Sequence, residues 1–283
     1  MSYHTPVLLQ ETIEGLSPGK GKRFIDATFG GGGHTKRMIE LGAEVLGIDT
    51  DPDAEKEAAQ IHSPKFRFHR GNFRHIKEIA LSEGFDKVDG ILFDLGVSSH
   101  QLDTAPRGFS YKWIDAPFDL RLDQSVGLPA SDIVNHESEE ELKKIIGVFG
   151  EEESCGRIAH ALAKSRIKKK IETTGDVLTL IQEELGSGNQ YKTASKVFQA
   201  FRIAVNDELN SLKIGLEDSV GLVKPGGRIA VISFHSLEDR IVKLFFQKKC
   251  FSIITKKPLT AGNTEQRLNR RSRSAKLRIA EKI

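Results

Sequence analysis

Cysteine is nearly absent. The 283 residues hold two, Cys155 and Cys250, neither in a CxxC pair nor beside a histidine at ligand spacing. That excludes a disulfide framework and a structural zinc site, and the expectation is a reducing, cytoplasmic setting with no metal. Long apolar runs are missing as well. The first sixteen residues carry no basic stretch and nothing more apolar than Val7-Leu-Leu9, which argues against a secretory leader. No segment nears the ~20 apolar residues of a membrane span. Net charge is scarce too, at +3 from 42 Lys+Arg and 39 Asp+Glu. What remains is a globular chain, 38% hydrophobic and 29% charged, long enough to bury a sizeable core without staples.

The charge is spread unevenly. Between Lys256 and Lys282 lie nine Lys/Arg and two acids, which gives that stretch +7 and leaves residues 1–255 at −4. A second basic cluster comprises Lys164, Arg166, Lys168, Lys169 and Lys170. Such blocks suit either a phosphate backbone or a plain solvated face.

The first hundred residues alternate strand and helix signals, the pattern of a parallel sheet covered by helices. Strands are expected at Phe24–Ala27, Glu44–Ile48, Phe66–His69 and Gly90–Phe93, with a helix over Asp53–Ile61. Residues 104–130 mix prolines and glycines with Phe109, Tyr111, Trp113 and Phe118, which predicts an ordered loop. Helical periodicity follows, opened by a capping box at Ser138 and Glu141 and continued through Ile158–Leu162 and Thr174–Leu185. Gly186-Ser-Gly188-Asn189 breaks it. Beyond, apolar residues from Val197 to Val220 predict one long helix or two. Lys224-Pro-Gly-Gly227 reads as a turn, Arg228–Ile232 as a strand and Ser236–Phe246 as a helix capped by Ser236 and Asp239. The end, Lys276–Ile283, reads as a strand at the sheet edge.

The chemistry gathers at the strand ends. Asp26-Ala-Thr-Phe-Gly-Gly-Gly-Gly-His34 places a glycine run after the first strand, where absent Cβ atoms let the backbone approach a nucleotide-like ligand. Asp49, about twenty residues on, sits where an acid takes both ribose hydroxyls. Dehydrogenases and S-adenosylmethionine (SAM) enzymes share that arrangement. Asp26 favours the second, because a carboxylate there repels a pyrophosphate by about 1–4 kcal/mol at 4 Å and attracts an ammonium or sulfonium. Gly71-Asn-Phe73 offers a polar and an aromatic residue for an adenine, or simply a turn whose phenylalanine joins the core. Asp94-Leu-Gly-Val-Ser-Ser99 ends the fourth strand with an acceptor that suits an exocyclic amine. The acids of Asp49-Thr-Asp51-Pro-Asp53 resemble a calcium loop, but Ala54 and Gln60 replace its glycine and glutamate.

Several segments together resemble the ribosomal RNA small subunit methyltransferase H family. They are His4–Leu9, Asp26–His34, Asp94–Leu102, Arg107–Ser110, Pro117–Asp123, Phe198–Arg202, Ile232–Arg240 and Arg273–Arg278. The resemblance runs in order over almost the whole chain. It implies an α/β fold, a Rossmann-like class I SAM-dependent methyltransferase sheet with an inserted helical domain. Residues 1–103 and 191–283 would form the SAM-binding part and 104–190 an RNA-recognition insertion. It further implies methylation of N4 of one cytidine in the decoding region of 16S rRNA, within the small ribosomal subunit. By the family pattern Gly32, Gly33, His34, Asp49, Phe73, Asp94 and Gln101 line the SAM site, with Asp94 also the catalytic candidate.

Five further residues are candidates for substrate binding. Phe109 and Trp113 suit stacking on an exposed base, or packing of their loop. Arg121 alternates with Asp119 and Asp123 as on one face of a strand or loop, and suits substrate or a surface ion-pair set. His235 suits the base pocket or a structural role, and Arg273 belongs to the basic tail. Neither cysteine sits in a motif that could attack a ring, so direct methyl transfer without a covalent enzyme intermediate is expected. The rivals are an amino-methyltransferase acting on DNA or another RNA, an NAD-dependent oxidoreductase, and a non-catalytic RNA-binding assembly factor.

Overall fold

A computed structural model describes residues 6–186, 188 and 190–283. His4 and Thr5 of the first motif, and Ser187 and Asn189 of the expected helix break, lie outside the described residues. Contacts divide the chain into two compact units, Met1–Ser98 with Leu209–Ile283 and Ser99–Glu208.

In chain order, α1 (Leu9–Leu16), β1 (Arg23–Asp26), α2 (Gly33–Glu40), β2 (Glu44–Asp49) and α3 (Pro52–Ala58) come first. Then follow β3 (Phe66–Arg70), α4 (Ile76–Ser82) and β4 (Val88–Asp94). The second unit holds α5 (Ser99–Asp103), α6 (Ala130–His136), α7 (Glu139–Gly150), α8 (Cys155–Ser165), α9 (Thr174–Leu185) and α10 (Gln190–Asn206). The chain returns through α11 (Glu208–Leu222), β5 (Val223–Ser233), α12 (Ser236–Phe245), β6 (Phe251–Ile253), α13 (Asn263–Leu268) and β7 (Lys276–Lys282). No helix among the described residues is long and apolar enough to cross a membrane.

The seven strands form one sheet in the order β3-β2-β1-β4-β5-β7-β6. Strands β1 to β5 pair in parallel, while β7 runs antiparallel to β5 and to β6. Both faces are covered, as the near-continuous apolar runs of the inner strands require. Ile25, Ile91, Phe93, Ile229 and Val231 bury against Ile76, Leu212 and Val242 of α4, α11 and α12. Their neighbours Phe24, Leu92, Ala230 and Ile232 bury on the other face with Ile13 and Met38 of α1 and α2. That alternation is the period of two of a pleated strand. The order reverses between β1 and β4, which makes a crevice outside the carboxyl ends of these strands.

Several expectations are corrected. β7 is not the edge, because the three-residue β6 pairs outside it, a strand too short to be seen as a periodic pattern. Of the one helix or two expected from Val197 to Val220, the structure has two, parted at Asp207 in the left-handed region, φ 49°. Residues 224–227 do loop out, since the register with β4 jumps from Val88↔Val223 to Gly90↔Arg228. The α12 cap lies one residue earlier than expected. His235 and Glu238 cap each other's backbone N–H, because Asp239 is committed to Arg278 at 2.6 Å.

In the second unit Leu142, Ile146, Ile158, Leu162, Ile181, Val197 and Phe201 from α7 to α10 are buried. The Ser138 hydroxyl caps Glu141 N–H at 3.1 Å, half of the expected box, and a complete box instead opens α9 at Thr173 and Asp176. The loop expected over 104–130 is held as a folded strap. Leu120 N–H donates to Arg107 O, and Asn206 donates to Leu120 O while accepting from Leu122 N–H.

Candidate functional site

Three apolar strands each end in an aspartate, and parallel pairing brings all three to the same rim. Asp26, Asp49 and Asp94 are the last residues of β1, β2 and β4, with Asp26 in register with Gly47 and Leu92. The glycine run fills the turn between β1 and α2. Gly30 N–H donates to Asp49 Oδ2 at 2.7 Å, and Gly30 is left-handed, φ 53°, with no atom closer than 4.0 Å to where a Cβ would stand. Gly32 is also left-handed, φ 70°, and a Cβ there would meet the Phe29 ring at 2.6 Å. Gly32→Ala therefore destabilises by about 2–4 kcal/mol, from the left-handed backbone and the overpacking together. Chemical denaturation of the variant measures this, and an unchanged midpoint would remove the reading. Gly33 opens α2 and abuts Pro6.

Asp49 ties two loops together. Its Oδ1 accepts from Asp51 N–H at 2.9 Å, and its carbonyl takes Gly71 N–H at 2.8 Å, which pins the Gly71-Asn-Phe73 loop beside it. There the Asn72 side-chain oxygen accepts Arg74 N–H, which holds the turn. Phe73 is half-buried, edge-on to Phe93 at 5.6 Å, so the core reading holds for part of its ring. Asp51, which the calcium-like pattern singled out, caps α3 through Asp53 N–H.

Asp26 is the most buried of the three, and Asp94 is the one with an unpartnered oxygen. Its N–H donates to Thr28 Oγ1 at 2.6 Å, but its buried Oδ1 has no hydrogen-bond partner. His34 Nδ1 stands 3.8 Å from Asp94 Oδ2, while His34 Nε2 lies 3.2 Å from Val7 O. The carbonyl accepts only, so the ring proton is on Nε2 and Nδ1 presents a lone pair. Burial pushes His34 down to about 4, which keeps the ring neutral. Burial likewise pushes Asp26 and Asp49 up to about 6 and Asp94 up to about 7, partly offset by Arg271 and reinforced by Asp26 and Glu238. Asp26 also takes the Thr35 hydroxyl at 2.7 Å. Acceptors thus face acceptors around the rim, an arrangement that a cationic or proton-rich ligand satisfies.

The remaining candidates are placed as follows. His235 caps α12, and its Nε2 lies 3.1 Å from Glu238 Oε1 but outside hydrogen-bond geometry, which gives it a structural role. Arg273 is exposed, with Nε on Gln266 O. Sequence reading missed its neighbour Arg271 and also Glu238, the two charges that act on Asp94 from the C-terminal half. In the second unit Gln101 is buried on α5. Phe109 is also buried, with the Arg107 guanidinium 5.7 Å over its ring, so it packs the loop and is no stacking platform. Trp113 is 44% exposed. Arg121 grips Asp119 with two hydrogen bonds of 2.8 Å, and Asp123 caps its own turn through Ser125. Arg121 thus makes the ion pair that was one of its two readings, with Asp119 taking two of its N–H donors and Gly127 O a third.

Among curated proteins, the ribosomal RNA small subunit methyltransferase H of Deinococcus deserti is 47% identical over 99% of this chain and 93% of its own length. That of Cytophaga hutchinsonii is 43% identical over 99% of both. Among solved structures, an rRNA methylase from Streptococcus thermophilus covers 97% of this chain and 93% of its own at 10% identity and a TM-score of 0.46, too distant to bear on the chemistry. The model of the MraW methylase family matches residues 1–283. With three carboxylates and a glycine turn at one sheet rim, and full-length relatives at this identity, the chain belongs to the MraW methylase family.

Proposed function

We propose that the protein is a SAM-dependent methyltransferase of small-subunit ribosomal RNA and that its target is N4 of one cytidine in the decoding region of the 16S molecule. The observation that carries the cofactor half is the unpartnered Asp94 Oδ1 beside the His34 lone pair. These buried acceptors suit the ammonium and sulfonium of SAM and do not suit the pyrophosphate of a dinucleotide. Asp49 has lone pairs left for ribose hydroxyls, the Gly30–Gly33 turn leaves room for the amino-acid part, and the exposed side of Phe73 suits the adenine. Bound there, SAM supplies an electrophilic methyl group.

The residues of this chain then have positioning work to do. Asp94 accepts a hydrogen bond from the substrate amine and turns its lone pair toward the methyl, an orientation effect worth about 10²-fold or more. Burial strengthens that contact by excluding water. No covalent enzyme intermediate is needed. Cys250 lies between α12 and β6 and Cys155 begins α8, neither at the strand ends where the acids gather.

RNA recognition falls to basic surface. Lys164, Lys168, Lys169 and Lys170 are exposed on the second unit, as are Arg270 and Arg273 in the C-terminal segment. The protein acts on RNA in the cytoplasm, by this reading. Mass spectrometry of 16S rRNA from cells lacking the protein tests it. One decoding-region cytidine loses its N4-methyl, whereas an unchanged rRNA methyl inventory would exclude the proposal.

A further inference from the structure

A short run of contacts fixes the ring of His34. Glu265 of α13 accepts Leu8 N–H at 2.9 Å, and Leu8 is held left-handed at φ 52°. The Val7 carbonyl before it takes His34 Nε2–H at 3.2 Å. Val7 and Leu8 are both fully buried, so that carbonyl has little freedom. The backbone thereby sets the tautomer and leaves Nδ1 bare.

Nδ1 looks at Asp94 Oδ2 across 3.8 Å, with both side chains more than nine-tenths buried. A hydrogen bond between such atoms is about 1 Å shorter. Two buried lone pairs that face each other keep their distance, and one proton between them removes the conflict. Of the two groups Asp94 is the one to carry it, since burial holds its carboxyl at about 7 and the imidazole at about 4. The charged groups that also act on Asp94 are Arg271 before β7, which opposes the acid form, and Asp26 of β1 and Glu238 of α12, which favour it. Asp94 Oδ1 meanwhile meets no protein donor and is left for a ligand.

We propose that Asp94 takes the proton that the methylated amine must lose, and that His34 is the positioning residue that holds it there. The proposal rests on reading Asp94 as the carboxylate that meets the substrate amine. As the nitrogen–carbon bond forms and the carbon–sulfur bond breaks, the sulfur becomes neutral and the nitrogen is left with one proton too many. That proton passes to Asp94 Oδ1. The carboxyl turns about its Cβ–Cγ bond, and its acid hydrogen settles on the Nδ1 lone pair of His34. Loss of the sulfonium charge favours the transfer, because a nearby cation is what keeps a buried carboxyl ionised. Water takes the proton when the products leave. His34 stays neutral throughout and gains only a hydrogen bond.

Nitrogen-15 and carbon-13 NMR of the ligand-free protein tests the pair, with the two residues assigned by signal loss in His34→Gln and Asp94→Asn. As pH falls through the Asp94 carboxyl midpoint, the His34 Nδ1 signal should move in one step toward that of a hydrogen-bonded nitrogen, while Nε2 stays in place. Asp94→Asn, which cannot titrate, should remove the step. If that variant folds poorly, the wild-type carboxyl and ring signals still report a shared midpoint or its absence. An Nδ1 signal indifferent to the carboxyl midpoint overturns the proposal, as does a histidine that itself takes the proton there and moves both ring nitrogens. Stopped flow with a pH indicator, with SAM-loaded protein in excess over small ribosomal subunits at about pH 6.5, tests the acceptance step. Proton release should lag methyl transfer and follow product release, and release in step with methyl transfer overturns the proposal. The NMR arm needs neither cofactor nor RNA, and the second arm reads methyl transfer separately. Failure of the pair is thus told apart from failure of the methyl-transfer reading.

Discussion

Asp94→Asn slows methyl transfer by about 10²-fold or more while making the ligand-free protein more stable at pH 8. The two effects have one cause. Burial holds the Asp94 carboxyl at about 7, against 3.8 for a free side chain. At about 1.4 kcal/mol per pH unit, keeping it ionised costs the folded state about 4 kcal/mol. The folded value lies above the unfolded one, so the folded protein binds the proton more tightly. Its contribution to stability is fully present below pH 4, is lost as pH rises from about 4 to 7, and stays lost above. Asparagine removes the charge and with it that loss. Thermal melts should therefore separate the variant from wild type at pH 8 and bring them together near pH 4. A variant less stable than wild type at pH 8 would contradict the account. Methyl transfer should fall by about 10²-fold or more, and cofactor affinity must be measured separately because the same carboxylate serves both.

SAM affinity rises by about 100-fold between pH 5.5 and 8, with protons released on binding. Asp26 near 6 and Asp94 near 7 are protonated in part at the lower pH. A cation needs them ionised, and each group still protonated weakens binding by about tenfold per pH unit below its midpoint. His34, near 4, stays neutral through this window and takes no part. Calorimetry at pH 6.5 in two buffers of different ionisation enthalpy counts the protons. A flat affinity profile with no proton release would mean that the carboxylates are already ionised in the free protein.

The strand-end acids are legible in the sequence because each one abruptly ends an apolar run, and β-strand pairing in parallel does the rest. Asp26, Asp49 and Asp94 need no knowledge of distant contacts. Arg271 does. It lies in a basic tail where Arg270, Arg273 and Lys276 look alike, and only the capped turn at Asn269 and the ring of Phe234 single it out. His235 stays open in the sequence for a related reason. A histidine after a strand suits a base pocket or a structural role, and once Arg278 holds Asp239 the helix start shifts back by one residue and recruits the imidazole as its cap. Arg121 is undecided by spacing, since Asp119 and Asp123 flank it equally, and the backbone at left-handed Leu120, φ 64°, decides for Asp119. The short elements β6, α4 and α6 leave too few turns for a periodic signal.

The central claim is that the acceptor-lined rim positions an amine for methylation. The most direct measurement incubates the purified protein with methyl-labelled SAM and small ribosomal subunits that lack the modification, then locates the label by mass spectrometry of digested 16S rRNA. The expected result is one label per subunit, on N4 of a single decoding-region cytidine, formed about 10²-fold or more slowly by Asp94→Asn. Label on a ring carbon, label on another nucleotide, or full transfer by Asp94→Asn would contradict it.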